Sequence, residues 1–495
     1  MSIDRGIDDV EEALRNAKAR GKKCALLIGA GCSVRADIPT ASGFVDLIKN
    51  EWPVAYKRAA TKTYSQCMAQ LADGERRDLI ADKVEKAKIN WAHIGIAQLM
   101  KEEYVDRVLT TNFDPLVLRA CALVNFFPAV YDFAASQRFN PAYTPEQAIF
   151  HLHGQHTGFV LLNTKEQVNE LSTSIEPLFE DAWRGRLWLV VGYSGENDPV
   201  FEHLTRVKRF DQRLYWVGYQ NNEPPPHVRE HLLSESKSAY YVRGFDADSF
   251  FVSLGQRLRC FPPEFVEKPF THLDALLDRL ASYVAPGETR EIDLRRSTRP
   301  LIQSAIKEYE QGRKGRALRA ESHLLSGRFD EVLTLLQEDR TPKEDDLVRW
   351  ALTMQGNALL NQARTKAGKQ ADRLFKEALR KFEEVINIKP DMHKALNNWA
   401  AMLLNQARTK DPVKEGELLN IARQKCIQAE SISPGAGAYH LACIASRERD
   451  EKACQMWLEK SRNAGLLPNQ DHLIADSDLE NVQNSLWHKA FIDSL

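Results

Sequence analysis

The N-terminal half of this 495-residue chain alternates short apolar runs with longer stretches of helical periodicity. The apolar runs are rich in Val, Leu and Ile without polar alternation, which is typical of parallel strands covered on both faces. Strand–helix alternation of this kind predicts a doubly wound α/β domain with a Rossmann-like parallel sheet. The strands are expected at 23–29, 105–112, 148–154, 186–193, 213–219 and 239–244.

A second domain is predicted beyond a charged segment that contains proline and glycine, APGETREIDLRRSTRP, at 285–300. A helix at 272–284 is expected to close the first domain, and after residue 300 the strand patterns disappear. The sequence therefore predicts an α/β domain over 1–284, a linker over 285–300 and an all-α domain over 301–495.

The C-terminal half repeats itself, because the octapeptide LLNQARTK occurs at both 359–366 and 403–410, an offset of 44 residues. Pro390 and Pro434 share this offset, while Pro434 and Pro468 are 34 residues apart, the period of a tetratricopeptide repeat. We predict a tetratricopeptide-like helical repeat, with an irregular helical bundle as the alternative. Stacked helix pairs form concave surfaces, so a homo-oligomer or a sensor or activator protein bound through these repeats is expected.

Bulk composition narrows the class of protein. The formal net charge is -1, which gives no support to a nucleic-acid partner, and no apolar run reaches the length of about 18 residues that a membrane span needs. The eight cysteines are scattered without a Cys-x-x-Cys pair, and the N-terminus lacks the apolar region of a secretion signal. A cytoplasmic protein with reduced, mostly buried thiols and no metal is expected.

Polar residues follow four of the predicted strands at their carboxyl ends, where open α/β sheets bind their ligands. The first such segment, Gly29-Ala30-Gly31-Cys32-Ser33, is neither a Walker loop nor a standard Rossmann fingerprint, since no Gly-Lys-Ser/Thr follows and Val34 stands where glycine is required. These four clusters are expected to converge on one crevice. The other three clusters contain Asn112 and Asp114, His153 and Gly154, and Gly192 and Ser194.

Together these motifs resemble the sirtuin family over residues 24–250. The glycine loop followed by Ile38-Pro39 is similar to that family's NAD-binding loop, TTNFD at 110–114 to its Asn/Asp motif, and HG at 153–154 to its catalytic His-Gly. Two features depart from the deacylating members: the zinc-binding cysteine pairs are missing, and Thr40-Ala41-Ser42 replaces Asp-Phe-Arg. The segment GYSGENDPVF at 192–201 resembles instead the divergent bacterial branch, which includes NAD-cleaving anti-phage effectors coupled to sensor modules.

The resemblance implies a regulated NAD+ glycohydrolase of abortive-infection defence, which converts NAD+ to nicotinamide and ADP-ribose. Asn112 would position the attacking water, His153 would act as general base, and Asp114 would orient the substrate or stabilise the positive ribose centre. The expected substrate-binding residues are Gly29, Ala30, Gly31, Ser33, Pro39, Thr111, Gly192, Ser194 and Asn221.

Two other functions remain open: NAD-dependent deacylation or ADP-ribosylation of a protein, and non-catalytic binding of NAD or ADP-ribose. Several of the polar residues also have structural alternatives. Asp114 could cap the helix that starts near Pro115, and Asn197 and Asp198 could cap the next one. His151 is expected to pack on the face opposite His153 by strand alternation, and the remaining expectations are structural or surface roles for His93 and His156 and core positions for Trp188 and Trp216.

Overall fold

The computed structural model forms two compact units, Met1–Lys307 and Glu308–Leu495. It describes residues 3–135, 139–158, 160–164, 167–168, 175–196, 198–284, 286–287, 289, 291–364, 366, 368–388, 393–408 and 412–494. The predicted domains differ slightly from these units, and the roles assigned to them stay predictions.

The first unit is built on an eight-stranded, entirely parallel sheet with the order β1-β8-β7-β6-β2-β3-β5-β4. Every residue of β2, β3, β5 and β6 is buried, so these central strands are covered on both faces, and the predicted doubly wound α/β class is confirmed. The strands are β1 (Asp4–Arg5), β2 (Cys24–Ile28), β3 (Val105–Thr110), β4 (Ala129–Asp132), β5 (Ala148–His151), β6 (Leu187–Val191), β7 (Leu214–Tyr219) and β8 (Ala239–Phe245).

Helices cover the sheet, and Trp188 and Trp216 are buried in the core as expected. Side-chain caps begin several helices; Thr40, for example, accepts a hydrogen bond from the Gly43 N–H. The helices of this unit are α1 (Ile7–Ala19), α2 (Ala41–Glu51), α3 (Pro53–Arg58), α4 (Tyr64–Met68), α5 (Asp73–Glu85), α6 (Trp91–Lys101), α7 (Leu116–Leu123), α8 (Glu176–Trp183), α9 (Pro199–Arg206), α10 (Pro226–His231), α11 (Ala247–Leu258), α12 (Glu264–Glu267), α13 (Pro269–Leu277) and α14 (Leu294–Ala305).

The end of this unit differs from the prediction. The helix expected at 272–284 ends at Leu277, and the chain then forms strand β9 (Tyr283–Val284), which pairs antiparallel with β10 (Glu291–Ile292). The segment 285–300 therefore contains a strand and the start of α14 rather than irregular chain only. Two-residue strands carry too little pattern to be found in a sequence, because alternation needs about four residues to show.

The described part of the second unit is helical. A π-helical turn over Ile306–Gln311 spans the boundary between the two units, and a 3₁₀ turn lies at Ser477–Leu479. Consecutive helices pair as hairpins, α17 with α18, α19 with α20, and α21 with α22. The helices are α15 (Arg316–Leu325), α16 (Phe329–Leu335), α17 (Pro342–Arg364), α18 (Gly368–Ile388), α19 (His393–Ala407), α20 (Pro412–Ile432), α21 (Ala438–Arg447), α22 (Glu451–Asn463), α23 (Gln470–Ala475) and α24 (Leu486–Asp493).

The octapeptide repeat corresponds to a repeat of structure. Helices α18 and α20 both have 21 residues, and they begin and end 44 residues apart, the offset seen in the sequence. Pro434 follows the end of α20 as predicted, whereas Pro390 lies outside the described residues. The tetratricopeptide assignment itself stays a prediction.

Two expectations from the composition concern the cysteines and membrane-spanning helices. All eight cysteines are free, seven of them buried and Cys260 partly buried, which confirms the expected buried thiols. Among the helices that the structure describes, none is both long and apolar enough to cross a membrane.

A buried ion pair joins α15 to α17 in the second unit. The Arg316 guanidinium donates to both carboxylate oxygens of Glu344, at 2.8 and 2.9 Å, and the Thr341 N–H donates to the same group at 2.8 Å. The hydrogen bonds from Arg316 lower the pKa of Glu344 to about 2. Because the folded pKa is lowered, this carboxylate stabilises the fold above its ordinary pKa of 4.5, and the contribution disappears as the pH falls through 2.

We expect Glu344→Gln to lower the free energy of unfolding by about 1–2 kcal/mol at pH 7, because a charged hydrogen-bonded partner of Arg316 is lost. The difference from the wild type should shrink between about pH 5 and pH 2. Urea unfolding followed by circular dichroism at several pH values measures it. Glu480→Gln, at an exposed carboxyl, is the matched control and should stay within about 0.5 kcal/mol of the wild type.

Candidate active site

The four predicted polar clusters lie at one edge of the sheet. In the register of the strands, Ile28 is paired with Thr110 and Val191, and Thr110 is paired with His151, so β6, β2, β3 and β5 end at the same level. The chain leaves β2 to form β3 on one side and returns later to form β6 on the other, which makes this a topological switch point. The loops after these strands therefore surround one crevice edge.

The glycine loop after β2 is held against the loop after β6. The Gly31 N–H donates to Gly192 O at 2.8 Å, and a Cβ atom placed on Gly29 or Gly31 would lie 2.7 Å from the Gly192 backbone. Glycine is required at both positions because the two backbones approach so closely. The glycines thus have a packing role, whether or not the loop also binds a ligand.

The chain after β2 forms two 3₁₀ turns, Ala30–Cys32 and Val34–Ala36, and α2 begins at Ala41. The N–H groups of Cys32 and Ser33 donate within the loop, to Gly29 O at 3.0 Å and Ala30 O at 2.9 Å. Among the described residues, no acceptor pairs with the Ala30 N–H, which leaves it available to an anion.

A buried polar cluster joins the loops after β2 and β3. The Ser33 hydroxyl donates to Asp114 Oδ2 at 2.9 Å and accepts from Asn112 Nδ2 at 3.1 Å. His93 Nε2, on α6, lies 3.3 Å from the same hydroxyl, and burial lowers the pKa of His93. Ser33 and His93 are fully buried, while Asn112 is 8% exposed. The predicted loop serine and Asn/Asp motif are therefore in direct contact.

Asn112 is oriented by its surroundings. Its Nδ2 also donates to Gly29 O at 3.1 Å, and its backbone carbonyl lies 3.1 Å from His151 Nδ1. Within the described part of the chain, no donor reaches Asn112 Oδ1. A fixed, uncharged amide oxygen at the crevice edge can accept a hydrogen bond from a water molecule or from a carboxamide.

Asp114 accepts a hydrogen bond at the start of a helix, which is the structural alternative to a catalytic role, and it also binds the neighbouring loop. Its Oδ1 accepts from the Leu116 N–H at 3.1 Å, at the start of α7, while its Oδ2 accepts from Ser33. One carboxylate thus both caps a helix and fixes the serine of the neighbouring loop. This geometry leaves the predicted contact of Asp114 with substrate a prediction.

His153 lies beyond the end of β5 and faces a carboxylate. Its Nε2 is 3.5 Å from Asp198 Oδ1, and the two side chains are 12% and 11% exposed. Asp198 also caps α9, accepting from the Val200 N–H at 2.9 Å. Burial opposes ionisation of Asp198, but His153 and the hydrogen bond at Val200 hold its pKa below the ordinary value. Tyr193 is buried beside Asp198, and burial raises the pKa of its phenol.

The prediction for the side chains of His151 and His153 requires a correction. The expectation that His151 and His153 face opposite sides by strand alternation was wrong in its premise, because residues two apart on a strand share a face. The strand ends at His151, so alternation does not reach His153 at all. The expected packing of His151 is nevertheless observed, since its side chain is buried and 2% exposed.

The other residues predicted to bind the substrate differ in how far they are exposed to solvent. Thr111, Pro39 and Gly192 are half-buried around the same edge, whereas Ser194 and Asn221 are exposed. Asn221 follows β7, two strands away from β2, and its Oδ1 lies 4.0 Å from where a Cβ of Gly244 would stand. Their contact with a substrate stays a prediction.

Two residues of the site were given only structural roles by the sequence. His93 was expected to be structural and is buried, yet it contacts the Ser33 hydroxyl. Asp198 caps a helix as expected, yet it also faces His153; Asn197 lies outside the described residues. An aspartate before Pro199 predicts a helix cap, but no local sequence pattern indicates that the same side chain also faces a histidine.

One other cluster has metal-ligating side chains. Cys443, Asp476 and Asp478 in the second unit bring their ligand atoms within 4.8 Å of one another. However, Arg408 donates to both oxygens of Asp478, at 3.0 and 2.7 Å, and Arg447 lies 3.4 Å from it. Burial also raises the pKa of the Cys443 thiol, which disfavours the thiolate that a metal needs. The arginines already balance these carboxylates, so we propose no metal here.

Comparison with known proteins gives two family matches. The model of a SIR2-like domain matches residues 106–241, a range that includes Asn112, Asp114, His153 and Gly192. The model of the plant-specific mitochondrial import receptor subunit TOM20 matches residues 337–477, in the helical unit. A search of curated proteins found no match.

Solved structures of sirtuins align with about half of the chain, at low similarity. A sirtuin studied for its substrate affinity is 16% identical and covers 52% of this chain and 100% of its own, with a TM-score of 0.31. A complex of a Sir2 homologue with NAD is also 16% identical, with 51% and 93% coverage and a TM-score of 0.31. These scores are too low to carry an argument.

The fold is instead argued from the family match and the strand order. The SIR2-like match begins on β3 and ends on β8, and so includes the β3, β5 and β6 ends that form the crevice edge. The parallel sheet and this match support a sirtuin-like fold for the N-terminal unit, and a SIR2-like domain implies NAD-related activity.

Proposed function

We propose that this chain is an NAD+ glycohydrolase, which cleaves NAD+ to nicotinamide and ADP-ribose. The observation that carries the proposal is that Asn112 and His153 follow the ends of the adjacent strands β3 and β5 within the SIR2-like match. Asn112 presents an amide oxygen that no donor of the described residues reaches, and His153 has a buried carboxylate beside it. A binding protein would need neither arrangement.

The chemistry follows from the bond that breaks. When the bond from ribose C1′ to the pyridinium nitrogen breaks, its electron pair leaves with neutral nicotinamide, and positive charge develops on the ribose. Asn112 Oδ1 would hold the attacking water without adding charge, and His153 would accept its proton. Asp114 supports this arrangement by fixing Ser33, which in turn holds the Asn112 amide.

The residues at the crevice edge fit a dinucleotide in part. The Ala30 N–H and the half-buried Gly192 lie on the two loops that flank the switch point, where a pyrophosphate would bind. Glycines at 29, 31 and 192 bring these two backbones together, so a ligand would meet the backbone itself. Pro39, Thr111, Ser194 and Asn221 complete the proposed binding set.

Hydrolysis is favoured over transfer to a protein. The sequence after His153 carries no Cys-x-x-Cys pair, so the zinc module that accompanies acyl-peptide binding in the family that this chain resembles is missing. Water then becomes the acceptor of the ribosyl group. Deacylation or ADP-ribosylation would appear in the test below as O-acyl-ADP-ribose or as labelled protein.

The helical unit is proposed to regulate this activity. Consecutive helices pair as hairpins between residues 342 and 463, and α18 and α20 repeat at an offset of 44 residues. Paired helices of this kind are suited to binding a partner or a second copy of the chain. Uncontrolled NAD cleavage would harm the cell that makes the protein, so we propose low basal activity that a sensor or oligomerisation releases. A cytoplasmic anti-phage effector of abortive infection is the corresponding role.

The direct test is to incubate the purified full chain with NAD+ and to separate the products by chromatography, alone and together with the proteins encoded beside it. We expect nicotinamide and ADP-ribose in equal amounts, with ¹⁸O from labelled water in the ADP-ribose. His153→Ala should lower the rate by about 10²–10⁴-fold, the usual contribution of a general base. Intact NAD+ under every activating condition, or products of transfer alone, would contradict the proposal.

A further inference from the structure

Asp198, whose carboxylate faces His153, has no step assigned to it in the proposed cleavage of NAD+. Asp198 Oδ1 lies 3.5 Å from His153 Nε2, and the side chains of both residues are nearly buried. Among the described residues, Nε2 is a buried nitrogen without a hydrogen-bond partner, and its contact with Asp198 is an ion-pair contact at 3.5 Å. A carboxylate at this distance from Nε2 favours the tautomer that carries its proton there.

The position of Asp198 is fixed independently of His153. Its Oδ1 accepts from the Val200 N–H at 2.9 Å at the start of α9. The groups that face this carboxylate are His153 on the loop after β5, Tyr193 on the loop after β6 and the Val200 N–H. The only basic side chain among them is His153, so the charge of an ionised Asp198 acts on that ring.

We propose that Asp198 is a positioning residue that keeps the Nε2–H tautomer of His153, turns Nδ1 toward the crevice and stabilises the imidazolium formed during NAD cleavage. The inference rests on the proposed glycohydrolase function. The oxygen of water bonds to C1′ as the pair of the C1′–N bond leaves with nicotinamide. The proton of that water passes to Nδ1, and the carboxylate balances the new charge on the ring.

The carboxylate predicts the direction of a change in pH dependence. A negative charge beside the ring favours the protonated form, so its removal allows the ring to lose its proton at lower pH. In Asp198→Asn the acid limb of the pH–rate profile should move to lower pH. A residue that only caps α9 would leave this limb in place.

The test compares Asp198→Asn with Asp450→Asn in the full chain. Asparagine keeps the helix cap in both, and Asp450 caps α22 in the other unit by accepting from the Ala453 N–H at 3.0 Å. We expect Asp198→Asn to lower kcat for nicotinamide release about 10- to 100-fold with KM within about twofold, and to shift the acid limb. Asp450→Asn should match the wild type in all three.

A second measurement does not depend on turnover. Nitrogen-15 spectra of histidine side chains, with His153 assigned by its loss in His153→Gln, report the tautomer directly. The wild type should show the Nε2–H form, and Asp198→Asn should show a changed tautomer ratio and a lower titration midpoint. An unmoved acid limb, or identical spectra of wild type and Asp198→Asn, overturns the role of Asp198. If the wild type shows the Nε2–H tautomer and Asp198→Asn shows the changed ratio and midpoint, but the wild type leaves NAD+ intact, only the proposed glycohydrolase function is refuted.

Discussion

Replacing Asn112 by alanine is expected to lower nicotinamide release from NAD+ by at least about 10²-fold, with both units still folded. The amide oxygen that would hold the attacking water is removed, and the Nδ2 contacts to Ser33 and Gly29 are lost with it. Since Asp114 still binds Ser33, the two loops remain joined by one of their hydrogen bonds. Product analysis of Asn112→Ala under the conditions that activate the wild type measures the effect.

Asn90→Ala is the matched control for Asn112→Ala. Asn90 Nδ2 donates to Cys32 O at 2.7 Å, so it supports the same loop by the same kind of amide contact, but from the start of α6. We expect Asn90→Ala to lower the free energy of unfolding by about 1–2 kcal/mol while retaining most of the turnover. Equal losses of turnover in both variants would show that loop support, rather than the Asn112 amide, limits the reaction.

The strands at the centre of the sheet could be predicted because burial on both faces leaves a plain signal. Six of the eight parallel strands match apolar runs in the sequence, and their shared carboxyl edge follows from parallel pairing. The two strands not predicted are β1, with two residues, and the half-buried edge strand β4. Edge strands lack the continuous apolar run that makes a central strand visible.

The contacts within the site could be predicted only in part. That Asn112 and Ser33 lie near each other follows from adjacent strand ends, but the hydrogen bond between them depends on side-chain geometry. The partnership of His153 with Asp198 joins two loops 45 positions apart, and neither residue's local sequence specifies it. The sequence places Ser33, Asn112 and Asp114 after neighbouring strands, and the fold determines which of their side chains make contact.

The repeat in the helical unit is a case where sequence and structure carry the same information. A fixed offset of 44 residues repeats both an octapeptide and a 21-residue helix, because each hairpin buries its apolar face against the next. That this unit binds a partner stays a prediction.

Gly192→Ala is expected to destabilise the first unit by about 2–5 kcal/mol and to abolish NAD cleavage. Gly192 has a φ of +65°, which favours glycine, and its backbone carbonyl accepts the Gly31 N–H. A Cβ atom there would lie 2.6 Å from the Cys32 backbone nitrogen, so the loops after β2 and β6 would have to separate. Chemical denaturation and the NAD assay measure the two effects.

Gly21→Ala measures separately the loss of stability that comes from the backbone conformation alone. Gly21 has a φ of +67°, almost the same as Gly192, yet a Cβ atom there would meet nothing within 4 Å. Gly21→Ala should therefore lower the free energy of unfolding by only about 1–2 kcal/mol and leave NAD cleavage unchanged. If Gly192→Ala were no worse than Gly21→Ala, the close approach of the two loops would not matter for stability. If it were less stable but fully active, the crevice edge between those loops would not be where NAD+ binds.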